Sequence, residues 1–282
     1  MEKLHLHSEV LQAQDENGKL QLALEAQEKA QRRELEREAV NKKPRSCRHL
    51  WASVIAVMCC CLTVFMVAFR TTTGPIYNIY YANKQVGDRF EFGRYPQGPN
   101  GEIKPIVWRV LHRDSKSLLV ISERALDAKP YNKKKCDITW ADCTLRRWLN
   151  NEFVKKAFTE QELSLIQTSK IKNDAGPSTK DRIFLLSSDE VESLFSGDGD
   201  CICKPTDYAV KSGAWVVHPR PKYDGAERNT WKYVGNTYWW LRSRGVDSVR
   251  AKYIFADGSC VDSYGYVNKV DVSVRPALRL AI

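Results

Sequence analysis

The chain has 282 residues, with 44 Lys plus Arg against 34 Asp plus Glu, for a formal net charge of +10. Only one uncharged apolar run is long enough to cross a bilayer, which excludes a multi-span transporter, and 8 Trp, 12 Tyr and 9 Phe exclude a wholly disordered chain. The length suits one or two domains. Residues 1–44 read as a polar helix, interrupted at Asp15-Glu16-Asn17-Gly18. Glu25 with Lys29 and Glu28 with Arg32 are spaced for i,i+4 ion pairs. Leu20, Leu24, Leu35 and Ala39 share a stripe that leaves a homodimeric coiled coil open beside a solvated single helix.

Leu50 to Phe69 carries no charge. At about 1.5 Å per residue it would reach about 30 Å, the thickness of a hydrocarbon core. Lys42, Lys43, Arg45 and Arg48 precede it and only Arg70 follows closely. Basic flanks stay in the cytoplasm. The expectation is therefore a single-pass signal-anchor protein in the cell membrane. Its N-terminus would be inside and its C-terminal domain outside. Residues 70–84 read as a linker and residues 85–282 as one domain.

In that domain, Arg89 to Tyr95 alternates as a half-buried strand does. Ile106 to Leu111 and Leu118 to Ile121 read as the next two strands. Leu145 to Phe158 has helical apolar spacing, Arg182 to Leu186 reads as a buried strand, and Ser188 opens a short acidic helix. Cys201 to Thr230 looks irregular. Strands are expected around Tyr238 to Leu241, Arg250 to Phe255, Tyr264 to Val267 and Val272 to Leu280, with turns at Gly258 and Gly265. Trp239 and Trp240 are neighbours on a strand, so one should point inward and one outward. The class is α+β, antiparallel strands with two main helices.

Several motifs form a familiar order. They are Phe92-Gly-Arg-Tyr-Pro-Gln97, Cys143-Thr-Leu-Arg-Arg-Trp-Leu-Asn-Asn-Glu-Phe153, Trp239-Trp-Leu-Arg-Ser243 and Val274-Arg-Pro-Ala-Leu278. Over roughly residues 85–282 the chain resembles a bacterial domain family of unassigned function that is often attached to membrane anchors. The Trp-Trp-Leu-Arg-Ser strand and the chain's ending are similar to C-type-lectin-like domains of the formylglycine-generating-enzyme type. The resemblance implies a C-type-lectin-like outer domain, a ligand-binding scaffold without an implied reaction. The calcium-lectin motifs Glu-Pro-Asn and Trp-Asn-Asp are missing, and Cys201-Ile-Cys203 is spaced and placed unlike the cysteine pair of the oxidases.

No catalytic residue, metal site or cofactor is read from the sequence, and nucleic acid is not an expected partner. Gly-x-Ser-x-Gly, His-Glu-x-x-His and phosphate-cradling loops do not occur. Candidate disulfides join Cys136 to Cys143, and Cys201 or Cys203 to Cys260. Lys129 to Lys135, with Arg220 and Lys222, form basic groups suited to a glycan or an anionic surface polymer. The candidate ligand-binding residues are Trp215, Tyr223, Trp231, Tyr238, Trp239, Arg242 and Arg244, on the irregular stretch and the strand beneath it. The functional expectation is an adhesin- or receptor-like, non-catalytic binding protein. One alternative is an enzyme of wall or glycan material, using two of Asp198, Asp200, Asp207 and Asp224. Another is a scaffold coupling an inner coiled coil to an outer sensor.

Overall fold

The computed structural model describes residues 2–41, 55, 58, 59, 61, 80–218 and 231–282. It divides into two compact units, Met1–Arg70 and Thr71–Ile282.

The first unit contains the helix α1 (Glu2–Asn41). It runs unbroken through Asp15 to Gly18, because a single glycine costs only about 1 kcal/mol in a long helix of good formers. Every described side chain on it is exposed, including Leu22, Leu24 and Leu35. Between Leu24 and Leu35, a seam would need apolar residues where Gln27, Glu28 and Gln31 stand. The coiled-coil homodimer is therefore unsupported. No helix among the described residues is long and apolar enough to cross a membrane. The span expected over residues 50–69 falls mostly outside the described residues. The anchor, its signal-anchor topology and the membrane location have no support in the structure; an apolar run of sufficient length is necessary for spanning but does not establish it.

The second unit is α+β and is built on two sheets. The first has the order β1-β2-β3-β12-β7: β1 (Arg89–Pro96), β2 (Ile103–Arg113), β3 (Ser117–Ser122), β7 (Ile183–Phe184) and β12 (Ala277–Ala281). All its pairings are antiparallel. The second has the order β10-β9-β8-β11-β4: β4 (Asp127–Ala128), β8 (Trp239–Arg244), β9 (Ala251–Ile254), β10 (Cys260–Val261) and β11 (Ser273–Val274). Its β8 and β11 run parallel, and its other pairs antiparallel. A hairpin of β5 (Ser169–Ile171) and β6 (Thr179–Asp181) completes the strands. No closed, lectin-like barrel forms among the described residues, so the C-type-lectin-like expectation is corrected to two open sheets.

The two main helices are corrected too. The Leu145–Phe158 pattern is three pieces: α2 (Thr144–Trp148), a π-helical turn (Leu149–Phe153) and α3 (Val154–Ala157). Asn150 explains the break. Its amide donates to the Arg146 carbonyl at 3.1 Å and to the Ile183 carbonyl at 2.8 Å, tying the turn to β7. Further short helices are α4 (Glu160–Leu165), α5 (Ser188–Leu194), α6 (Asp198–Cys201) and α7 (Asp207–Lys211). The Ser187 hydroxyl and the Glu190 carboxylate form a capping box at the start of α5. Pro276, which has no N–H to donate, separates β11 from β12 where one strand was expected. Tyr264 to Val267 contributes only an isolated bridge between Tyr266 and Arg250.

Trp239 and Trp240 are both fully buried. The second sheet is covered on both faces at β8, so alternation does not expose either ring. Each indole N–H finds a carbonyl, Trp239 on Cys201 at 3.1 Å and Trp240 on Lys129 at 2.9 Å. Tyr81, from the end of the stretch read as a linker, packs on Phe90 and Phe92.

Candidate functional site

A cleft of about 470 Å³ opens between α5, α6 and the β9–β10 edge of the second sheet. Val191, Phe195, Cys201 and Ile254 form its buried floor. Asp189, Glu192, Asp198 and Asp262 stand exposed around it, with Lys252 as the single basic lining residue. The Lys252 ammonium donates to the Ser188 hydroxyl at 3.4 Å. No histidine lines the cleft.

Backbone packing sets its shape. Gly258, in the turn between β9 and β10, has φ +96°, and a Cβ there would lie 1.8 Å from the Asp198 carbonyl oxygen. Only glycine lets that turn press onto α6. From below, Asp200 accepts from Arg109 at 2.6 Å. Arg275, only 2% exposed, donates to the Ser122 carbonyl at 2.9 Å and the Cys201 carbonyl at 3.4 Å. Its guanidinium lies 5.0 Å from the centre of the Trp239 ring. Partial burial pushes the Asp200 carboxyl upward, but the Arg109 hydrogen bond and charge outweigh it and leave it below the usual carboxylate range.

The two thiols of the cleft are poor nucleophiles. Burial pushes Cys201 up to about 11, and Asp200 and Asp198 add to the rise. Burial also raises Cys260, reinforced by Asp262, Asp198 and Glu192. Both are thiols at neutral pH. All seven described cysteines are free, so neither expected disulfide forms. Cys143 instead caps α2, its sulfur accepting from the Arg146 N–H at 3.4 Å. Among the described residues no group of three or more His, Cys, Asp or Glu is arranged to hold a metal ion.

The residues singled out from sequence do not converge on this cleft. Trp239 is in the core. Tyr238 is buried, its hydroxyl donating to Asp271 at 2.7 Å, and Trp215 stacks on it at 5.0 Å with 37% of its surface exposed. Arg242 is buried and paired with Glu190. Arg244 donates to Asp137 at 2.5 Å. Tyr223 and the Trp231 side chain lie outside the described residues. Of the four aspartates from which an enzymatic pair was expected, Asp198 lines the cleft, Asp200 is held by Arg109 and Asp207 begins α7; Asp224 is outside the described residues. A wall- or glycan-cleaving pair is thus unsupported. Sequence reasoning missed Asp189, Lys252 and Asp262 as lining residues. The acidic first turn of α5 was the only local signal, and it bears on Asp189 alone.

Nothing among the described residues supports the glycan or anionic surface polymer expectation. The Lys129–Lys135 run does not present one basic strip, because Lys135 sits over the Tyr266 ring at 4.0 Å and Lys129 over the Trp148 ring at 4.6 Å. The cleft between α5, α6 and the β9–β10 edge is lined mainly by acids.

No curated protein matches the chain. No solved structure matches it either, so the expected likeness to C-type lectins and formylglycine-generating enzymes has no structural counterpart. A family model matches residues 115–282, over half the chain, and the chain therefore belongs to the family described as "Domain of unknown function (DUF6273)".

Proposed function

We propose that the Thr71–Ile282 unit is a recognition domain that binds a small organic cation, an amine or a guanidinium compound, in the α5–β10 cleft. One observation carries this reading: four carboxylates and a single amine line a cleft with an apolar floor, on a chain whose net charge is +10. A cation with a short apolar body would place its charge at the rim and its methylenes on Val191, Phe195 and Ile254. The two thiols are protonated and no histidine is present, which favours binding over covalent chemistry.

The test is calorimetric titration of the full chain with putrescine, spermidine and arginine, against succinate as the anionic control. Putrescine or arginine should bind and succinate should not compete. Asp198→Asn and Asp262→Asn should each weaken binding about three- to tenfold, as loss of about 1 kcal/mol of charge attraction would. Cation binding that is absent, or that survives both substitutions together, overturns the reading.

A further inference from the structure

A second cleft, also of about 470 Å³, has the opposite charge. It is lined by Lys129, Lys133 and Arg147 with Trp148, Thr144 and one acid, Glu152. It lies within the region matched by the family model but uses none of the residues of the acidic cleft.

The three cations are held in different ways. Lys129 is half-buried, 3.6 Å from Asp127 and 4.6 Å from the centre of the Trp148 ring. Lys133 and Arg147 are exposed and, among the described residues, form no ion pair. Their backbones are nevertheless fixed. The Lys133 N–H donates to the Thr144 hydroxyl at 3.0 Å, and the Arg147 carbonyl accepts from the Asn151 amide at 2.7 Å. The Thr144 oxygen is thereby used as an acceptor and its hydrogen is left to donate. Several other arginines of this unit meet carboxylates, among them Arg109 with Asp200, Arg146 with Asp181 and Arg242 with Glu190. Arg147, next in sequence to one of them, is turned into a cleft instead.

We infer that this cleft is a site for a small oxyanion, a carboxylate or phosphate group, gripped by Lys133 and Arg147 with Thr144 as hydroxyl donor. A planar guanidinium fork matches both anions, and an adjacent ammonium adds a point charge. The half-buried Lys129 fixes the base of the site, and Glu152 disfavours a second anion beside the first.

The full chain would be titrated at low salt with inorganic phosphate and, separately, with acetate, and binding read by calorimetry. Saturable binding of at least one is expected, and the arm that binds more tightly tells phosphate from carboxylate chemistry. Lys133→Gln with Arg147→Gln, both exposed positions where folding is not at stake, should weaken it at least tenfold. Asp198→Asn, in the other cleft, should leave it unchanged, which separates failure here from failure of the cation reading. Absence of binding in both arms, or equal binding by the double variant, overturns the inference and assigns any affinity to the overall positive charge.

Discussion

Arg242 of β8 grips Glu190 of α5 in a two-pronged pair: one guanidinium nitrogen meets Oε2 and the other meets Oε1 at 2.9 Å. The same Oε2 accepts the Ser187 N–H at 3.0 Å, so the capping box of α5 and the strand beneath it share one carboxylate. Arg242 also donates to the Leu185 carbonyl at 2.8 Å. A residue that resembles a ligand contact in sequence thus sets where α5, one wall of the acidic cleft, sits on the sheet.

Replacing Arg242 by Lys keeps the charge but loses the fork. The expected result is a loss of about 1–3 kcal/mol of stability, since the Leu185 carbonyl and one Glu190 oxygen lose their donors. The midpoint of urea unfolding checks it.

Gly258→Ala should be more damaging than an ordinary turn substitution. The residue has φ +96° and its new Cβ would meet the Asp198 carbonyl oxygen. A cost of about 1–3 kcal/mol follows from the backbone conformation alone, and the clash adds to it. Thermal unfolding measures the first effect. Putrescine titration of the folded variant should also show weaker binding, because the turn and α6 form adjacent walls of the cleft.

The domain should lose stability on the alkaline side. Burial is the leading cause that raises Tyr95, Tyr238, Cys201 and Cys143, the last up to about 12. Asp127 and Asp271 reinforce the two tyrosines. Each group is held in its protonated form when folded, so above its ordinary value near 9 or 10 the unfolded chain releases protons first. Stability then falls as pH rises. Their contribution is complete below about pH 8 and should decline steadily above about pH 9. Urea midpoints between pH 7 and 11 that stay level would contradict this.

Alkylation should distinguish the cysteines. Within the Thr71–Ile282 unit, at pH 7.5 in native buffer, Cys136, which is exposed, should react with iodoacetamide before Cys260, whose thiolate is disfavoured. Cys143, Cys201 and Cys203 are buried and should be modified only on unfolding. Peptide mapping by mass spectrometry gives the order directly.

The early strands were legible because their alternation is local. Phe90 and Phe92 are buried in β1, and Ile106, Trp108 and Val110 in β2, as period-two spacing dictates, while Tyr95 is buried after a register shift between Glu91 and Arg94. The start of α5 at Ser188 was legible as well, since acidic residues favour the first turn of a helix; the Ser187–Glu190 capping box emerges only in the structure. The C-terminal part was less so. There the apolar runs lack a clean period, because β8, β11 and β12 are covered on both sides, and Pro276 cuts one expected strand into two.

By itself the sequence determined the α+β class, the approximate positions of the first strands and a surplus of positive charge. Those properties depend on neighbours a few residues apart and on composition. Tertiary structure alone decided that Trp239, Tyr238 and Arg242 face inward, and that Asp189, Asp198, Lys252 and Asp262 surround one cleft. Three elements and the segment after β10 bring them together, through a glycine turn pressed onto a carbonyl and a buried arginine beneath. Such convergence depends on how distant segments pack, and no local spacing encodes it.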